Sequence, residues 1–173
     1  MKKSIWNLLL IGMIIALSSC TDTDVYNDKD IKNFVKEYKT KQYAVENPSN
    51  PPTAVEIGER VKPFLTEEEY DYFYKRRYFH FINVVAKNTG YKSKVQDITL
   101  EKTEENEDGT VDYDYVLTVE YYHDNFSEAV ETKGQLTIQY NGENYKITRD
   151  WEQPNQFVQE AILKTNNNGG VKH

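Results

Sequence analysis

The sequence predicts an α+β domain over residues 28–165, in which N-terminal helices pack on a four-stranded antiparallel sheet. Up to Gly90, apolar residues recur about every three to four positions, which is the spacing of one helix face. From Ser93 onward they alternate with polar residues, which is the spacing of a half-buried strand. Helices followed by a run of strands are typical of the α+β class, and this length fits one domain. Another helix-plus-meander α+β arrangement is the alternative.

Residues 1–19 have the order of charges and apolar residues found in export signals. Lys2 and Lys3 precede an apolar run from Ile5 to Leu17, and small residues follow it. The run is shorter than the roughly 20 apolar residues that a membrane-spanning helix needs. We therefore expect a signal peptide that is removed from the mature protein.

The segment Leu17-Ser18-Ser19-Cys20 resembles a bacterial lipobox, the cleavage and lipidation signal of secreted lipoproteins. The resemblance implies that the mature chain starts at Cys20, the only cysteine, with acyl chains such as palmitate attached through its sulfur. Two acyl chains anchor a protein stably to a bilayer, whereas one gives marginal binding. The expected location is the extracytoplasmic side of the cell membrane, with residues 20–27 as a tether. An uncleaved signal anchor with an ordinary thiol is the alternative.

Charge narrows the choice of partners. The formal net charge is −7, and it becomes −9 once Lys2 and Lys3 are removed with the signal peptide. Nucleic acid and anionic lipid surfaces are not expected partners, because both attract Lys and Arg. Basic surfaces on other proteins are favoured electrostatically.

The first helix is predicted to follow Asn27 or Asp28, either of which can cap it. Charged residues, Lys39 among them, are expected on the side opposite its apolar stripe. The segment from Asn47 to Pro52 ends it, because proline lacks the amide donor. The apolar stripe consists of Ile31, Phe34, Val35, Tyr38 and Val45.

Two capping boxes start the next two helices. Thr53-Ala54-Val55-Glu56 has the required spacing and predicts a short helix that stops at Pro63. Thr66-Glu67-Glu68-Glu69 repeats the pattern, and its glutamates suit the positive end of the helix dipole. This third helix is predicted to be the longest and to end at Gly90.

Four strands are predicted after Gly90, the first over residues 93–103, with an acidic turn at 104–109. Asn141-Gly142 predicts a two-residue type I′ turn between the third and fourth strands. A short helix over residues 154–164 and a disordered tail over 166–173 complete the prediction. The residues expected to share one face are Val111, Tyr113, Tyr115, Leu117, Val119 and Tyr121 in the second strand, Val130, Thr132, Gly134, Leu136, Ile138 and Tyr140 in the third, and Tyr145, Ile147, Arg149 and Trp151 in the fourth.

This order of elements, with the ending Tyr145-Lys146-Ile147 to Asp150-Trp151, resembles the nuclear transport factor 2-like (NTF2-like), or cystatin-like, cone. The resemblance implies a curved sheet that wraps a long helix and leaves a pocket open at one end. Proteins of this type include extracytoplasmic extensions of some resistance transpeptidases and certain conjugation-machinery proteins. The fold hosts enzymes, binding modules and adaptors alike, so no functional residue follows from it.

Two histidines are candidate titrating groups. His123 precedes Asp124, and a neighbouring carboxylate can tune a histidine as a general base. The same residues are common in turns for backbone reasons, which is the alternative interpretation. His80 lies in the predicted long helix, where a partly buried, hydrogen-bonded histidine without catalytic role is the alternative.

Metal and cofactor sites are not predicted. The histidines lack a paired spacing that would suit zinc, and the acidic run 104–109 lacks the alternating ligands of a calcium loop. Neither a Gly-rich phosphate loop nor a Gly-x-Ser-x-Gly elbow occurs.

Tyrosine is unusually frequent, with 14 residues. Packing in the core explains part of this number. The remainder suggests a binding face at the mouth of the cone or on the sheet, because tyrosine is enriched at protein interfaces. The candidate residues of this face are Tyr74, Tyr78, Tyr113, Tyr115, Tyr140 and Trp151.

The sequence therefore favours a membrane-anchored, non-enzymatic adaptor that binds an envelope protein complex. One alternative is a small-molecule or enzymatic pocket inside the cone, with His80 or His123 as its titrating group. Another is a surface exclusion or immunity lipoprotein of a mobile element. The oligomeric state is left open.

Overall fold

The computed structural model describes residues 26–168 and confirms the α+β architecture. Cys20 and the predicted signal peptide lie outside the described residues. The elements in chain order are α1 Asp28–Tyr43, α2 Ala54–Val61, a 3-10 turn Lys62–Phe64, α3 Glu67–Arg76, α4 His80–Thr89, β1 Lys92–Glu105, β2 Val111–His123, β3 Phe126–Tyr140, β4 Tyr145–Glu152 and α5 Gln156–Asn168. The last helix overlaps the beginning of the segment for which a disordered tail was expected.

The strands form one antiparallel meander in the order β1-β2-β3-β4. The register of β1 against β2 shifts twice, between Val95 and Asp97 and between Lys102 and Glu104. An extra residue at each position bends the strand and increases its twist, which curves the sheet. The alternation predicted for β2 is confirmed, because every second residue from Val111 to Tyr121 is buried.

Helix α1 lies on the buried face of the sheet. The Asn27 side chain caps it by accepting hydrogen bonds from the backbone amides of Lys29 and Asp30. Beyond the helix, Val45 pairs with Ser93 at the start of β1 through two backbone hydrogen bonds. The expectation that Lys39 faces solvent is wrong, because this side chain is fully buried.

The predicted long helix between Thr66 and Gly90 is wrong, because α3 and α4 are separate helices. Arg77 takes a left-handed conformation, with φ of 60°, and ends α3. The break lets Phe73 and Phe79 both enter the core, where their ring centroids lie 5.8 Å apart. Burying both aromatic rings offsets the cost of a left-handed non-glycine residue.

Of the two predicted capping boxes, the one at α2 forms completely and the one at α3 forms only in part. The box of α2 is complete, with reciprocal hydrogen bonds between Thr53 and Glu56. At α3 only the Thr66 side chain caps, since it accepts from the Glu69 amide at 3.3 Å. The Glu69 carboxylate instead accepts a hydrogen bond from the Asp150 amide at 2.8 Å.

The turn between β3 and β4 is longer than predicted. The last paired residues are Tyr140 and Tyr145, so four residues, 141–144, connect the strands. The Asn141 side chain accepts hydrogen bonds from the amides of Glu143 and Asn144. This local side-chain cap takes the place of the expected two-residue turn.

A bulge in β4 changes which residues face the core. Ile147 pairs with Ile138, and Arg149 pairs with the preceding residue of β3, which leaves Thr148 without a partner in the ladder. The alternation therefore reverses: Ile147 and Asp150 are buried, whereas Arg149 and Trp151 are exposed. The expected shared face of Ile147, Arg149 and Trp151 is wrong beyond Ile147.

Candidate functional site

A cavity of about 390 Å³ opens at one end of the sheet. It lies between the end of α1, the helices α3 and α4, the end of β4 and α5. The lining residues that matter below are Gln42, Tyr43, Phe73, Tyr78, Phe81, Asp150, Trp151, Glu152 and Val158. The cavity therefore combines aromatic walls with two carboxylates.

A fully buried lysine lies beneath these carboxylates. Lys39 Nζ donates hydrogen bonds to Asp150 Oδ2 at 2.6 Å, to the Tyr115 hydroxyl at 2.9 Å, and to Glu152 Oε1. The lysine is 0% exposed, and the Asp150 side chain is 1% exposed. A buried charge is tolerated only when it is paired and hydrogen-bonded, and this arrangement provides both.

Three tyrosine hydroxyls complete the cluster. Tyr38 and Tyr115 each donate to Asp150 at 2.8 Å, one to each carboxylate oxygen. The Tyr43 hydroxyl donates to Glu152 Oε2. We call Tyr38, Lys39, Tyr43, Tyr115, Asp150 and Glu152 the buried polar cluster. It ties α1 to the end of β4 across the core.

The pKa directions indicate that the lysine and the tyrosines of the cluster keep fixed protonation states. Burial alone would lower the pKa of Lys39, but the carboxylates of Asp150 and Glu152 outweigh it, and the pKa is raised. Burial, and then the nearby carboxylates, raise the pKa of Tyr38 and Tyr115 well above the usual value. The lysine thus stays charged and the phenols stay neutral near neutral pH. Neither kind of group is prepared to act as a nucleophile or base.

Glu69 adds a further carboxylate beside the cluster. Its burial raises its pKa, although the hydrogen bond from the Asp150 amide works in the opposite direction. The bulge at Thr148 brings Asp150 inward, and Glu69 then fixes the backbone at that point.

Gly134 makes room for the cluster on β3. It lies opposite Tyr115 in the β2–β3 register. A Cβ atom at this position would lie 2.3 Å from Tyr115 Cζ and 2.5 Å from the Trp151 carbonyl oxygen. Glycine is therefore required for the close approach of the Tyr115 ring and the β4 backbone.

The two candidate histidines are not among the residues that line this cavity. His80 is the first residue of α4 and is exposed, so the alternative of a partly buried histidine is wrong. His123 ends β2 and is also exposed, with its ring stacked on Tyr91 at 4.9 Å between centroids. Neither side chain lines the cavity or touches the buried polar cluster.

The candidate tyrosine face is divided among four places. Tyr113 and Tyr115 are buried, 2% and 3% exposed, so they are core residues that a partner cannot reach. Tyr140 lies at the β3–β4 turn, against Tyr145. Tyr78 and Trp151 both line the cavity. Tyr74 is 61% exposed beside Val55 and His80, in a different recess.

Aromatic side chains that the sequence interpretation did not select join Tyr78 at the surface. The centroid of the Tyr72 ring lies 6.1 Å from that of Tyr78, and the centroid of the Phe81 ring lies 5.7 Å from that of Tyr78. Arg76 lies over the Tyr72 ring at 5.6 Å. We call Tyr72, Arg76, Tyr78, Phe81 and Trp151 the aromatic surface. Tyr72, Phe81 and Trp151 are 45%, 39% and 48% exposed.

The described part of the chain offers neither a metal site nor a membrane-spanning helix. Between residues 26 and 168, no group of three or more His, Cys, Asp or Glu side chains has the arrangement of a metal site. Within the same range, no helix has the length and apolar character that crossing a membrane requires.

Sequence reasoning missed Lys39, Asp150 and Glu152. Lys39 follows Ile31 and Val35 at helical spacing, and this spacing alone would have placed it on the buried face. Because lysine is charged, however, its side chain is expected to be exposed to solvent. The two carboxylates turn inward only because of the bulge in β4, and nothing in the local sequence announces a bulge.

Comparisons with known proteins support the fold and leave the family open. No protein-family model matches the sequence, and none of the curated proteins matches it significantly. Solved structures do match. An IcmL-like type IV secretion system protein from Legionella pneumophila is 10% identical and aligns over 75% of this chain and 94% of that protein, with a TM-score of 0.53. The periplasmic domain of DotI is 11% identical and aligns over 75% of this chain and 96% of that domain, with a TM-score of 0.54.

A weaker similarity joins this chain to an NTF2-like protein involved in plasmid conjugation. The two are 14% identical, with a TM-score of 0.46, and the match covers 73% of this chain and 49% of that protein. Identities this low show the fold alone. The chain is thus an α+β domain with an open, curved four-stranded sheet, and members of both the buried polar cluster and the aromatic surface line its cavity.

Proposed function

We propose that the protein is a non-enzymatic binding module of the cell envelope, lipid-anchored at Cys20 and engaged with a protein partner through the aromatic surface. The observation that carries this proposal is the continuous run of partly exposed rings at Tyr72, Tyr78 and Phe81. Tyrosine, tryptophan and arginine dominate the binding energy of protein interfaces, and this surface offers all three types.

The interior supports a binding role over catalysis. Lys39 and its carboxylates are paired with one another, and the raised pKa values of Lys39 and Tyr115 keep both groups protonated. The histidines, which are the side chains best suited to proton transfer near neutral pH, are exposed and do not line the cavity. No acid–base pair is assembled by the described residues that line it.

Proteins of similar fold support an extracytoplasmic location for the proposed function. One structural neighbour is a type IV secretion system protein and another is a periplasmic domain. A module of this shape, held near the membrane by a short tether, would meet membrane-associated partners at a raised effective concentration. The proposed location is the extracytoplasmic side of the cell membrane, as the lipobox resemblance implies.

The partner is tested by affinity capture of the lipidated protein from its native host after cross-linking. We expect a membrane or extracytoplasmic protein that is captured by the wild type and lost from a Tyr72→Ser/Phe81→Ser variant. Tyr74→Ser is the matched control, because Tyr74 is exposed on the same helix outside the aromatic surface. Equal capture by all three proteins would contradict the proposed surface.

The anchor is tested separately. Cys20→Ala should abolish incorporation of an alkyne-labelled palmitate and release the protein from the membrane fraction. Undiminished labelling of this variant would refute lipidation at Cys20 without affecting the proposed surface.

A further inference from the structure

The cavity has the size and walls of a small-molecule site. Its volume of about 390 Å³ lies within the range of roughly 300–1,000 Å³ that ligand pockets span. Phe73 and Phe81 contribute aromatic faces, and Val158 on α5 contributes an aliphatic one. Such walls favour a ligand with an apolar body.

Two of the residues that line the cavity, Glu152 and Gln42, offer hydrogen-bond acceptors with unused capacity. Glu152 has one carboxylate oxygen bonded to Lys39 and the other to Tyr43, which leaves lone pairs free on both. Its side chain is 21% exposed, unlike that of Asp150. Gln42 Oε1 is buried and has no hydrogen-bond partner among the residues that the structure describes. A ligand that donates hydrogen bonds would satisfy these atoms.

The charged groups around the cavity favour a ligand with a positive charge. One ammonium, on Lys39, faces the two carboxylates of Asp150 and Glu152, and Glu69 lies behind them. Among the described residues that line the cavity, none is basic. A cation entering here would offset an excess of negative charge, whereas an anion would add to it.

We propose that the cavity binds a small organic cation, a protonated amine on an aromatic or aliphatic body. The ammonium donates to Glu152 and Gln42, and the body lies between the rings of Phe73 and Phe81. This site goes beyond the adaptor role proposed above, which requires no ligand.

Three probes that share the indole ring separate the effect of ligand charge on affinity from that of ligand shape. They are tryptamine, tryptophol and indole acetate. They carry an ammonium, a hydroxyl and a carboxylate, respectively. Each is titrated by calorimetry into the purified full chain in neutral detergent, with a micelle-only titration subtracted. We expect tryptamine to bind about tenfold or more tightly than tryptophol, and indole acetate to show no binding. Absence of tryptamine binding at millimolar concentration, or equal binding of the alcohol or the acid, would overturn the proposal.

Two variants locate the site. Glu152→Gln should reduce the preference for tryptamine over tryptophol about tenfold while leaving tryptophol affinity unchanged. Glu143→Gln, which removes an exposed carboxylate in the β3–β4 turn, is the matched control and should keep the full preference. If Glu152→Gln does not fold, as judged by circular dichroism, Gln42→Leu replaces it and should weaken tryptamine several-fold, because it removes an acceptor outside the ion pairs. A preference that survives in the folded variant would refute the assigned site.

Discussion

Replacing Lys39 with methionine removes the cation that two buried carboxylates share while keeping a side chain of similar length. The three hydrogen bonds from Nζ to Tyr115, Asp150 and Glu152 are lost. Asp150 keeps its two tyrosine donors, and Glu152 keeps Tyr43 and some access to water. Breaking a buried ion pair costs about 3–5 kcal/mol, and these remaining donors place the expected loss near the lower end, about 3 kcal/mol.

Equilibrium urea unfolding followed by circular dichroism measures this loss. With a slope of about 2 kcal/mol per molar urea, the midpoint should fall by about 1.5 M. Lys41→Met, at an exposed lysine of the same helix, is the control and should change stability by less than about 0.5 kcal/mol. Lys39→Met combined with Glu152→Gln should be more stable than the sum of the two losses predicts, because one uncompensated charge is gone. A loss below about 1 kcal/mol for Lys39→Met would refute the reasoning that the cluster holds α1 to β4.

Three further predictions concern the neighbours of Lys39. Tyr115→Phe should lower the free energy of unfolding by about 1–3 kcal/mol, because it leaves Lys39 and Asp150 each short of a hydrogen-bond partner. Tyr121→Phe on the same strand face should be nearly neutral, since the Tyr121 hydroxyl has no hydrogen-bond partner within the described residues. Equal losses for the two variants in urea unfolding would contradict this. Gly134→Ala should cost about 1–3 kcal/mol by overpacking against Tyr115, and a thermal midpoint equal to that of the wild type would show that the strand can move aside. Glu69 has a pKa raised above its ordinary 4.5, so the folded state holds its proton more tightly, and the contribution of this group to stability falls as pH rises through the raised value. Glu69→Gln keeps the acceptor for the Asp150 amide, and its stability relative to the wild type should therefore be greatest near neutral pH and decline toward about pH 4.5; a difference independent of pH would refute the assignment.

Local patterns predicted most of the elements. The caps at Asn27 and Thr53 act within one turn of their helices, so the sequence near them is sufficient. The alternation of β2 could also be predicted from the sequence, because β2 lies between two other strands and one of its faces is buried along its length. The break at Arg77 was not readable, since it depends on where Phe73 and Phe79 meet the core.

The buried polar cluster depends on pairings that are distant in sequence. Lys39 is separated by more than 100 residues from Asp150 and Glu152, and its burial is favourable only once both carboxylates are present. Their inward direction follows from the register of β4 against β3. The histidines and tyrosines were candidate site residues because of their residue type. Residue type alone does not tell whether a side chain lies at the surface, since Tyr115 is buried and His80 is exposed.

Site-specific photo-cross-linking in the native host tests the proposed binding surface most directly. A benzoylphenylalanine in place of Tyr72 lies within the aromatic surface, and the same group in place of Tyr74 lies on the same helix outside it. The account predicts a discrete adduct with an envelope protein from the Tyr72 position and none from the Tyr74 position. Adducts of equal yield at both positions, or none at Tyr72 while the protein is lipidated and folded, would contradict it.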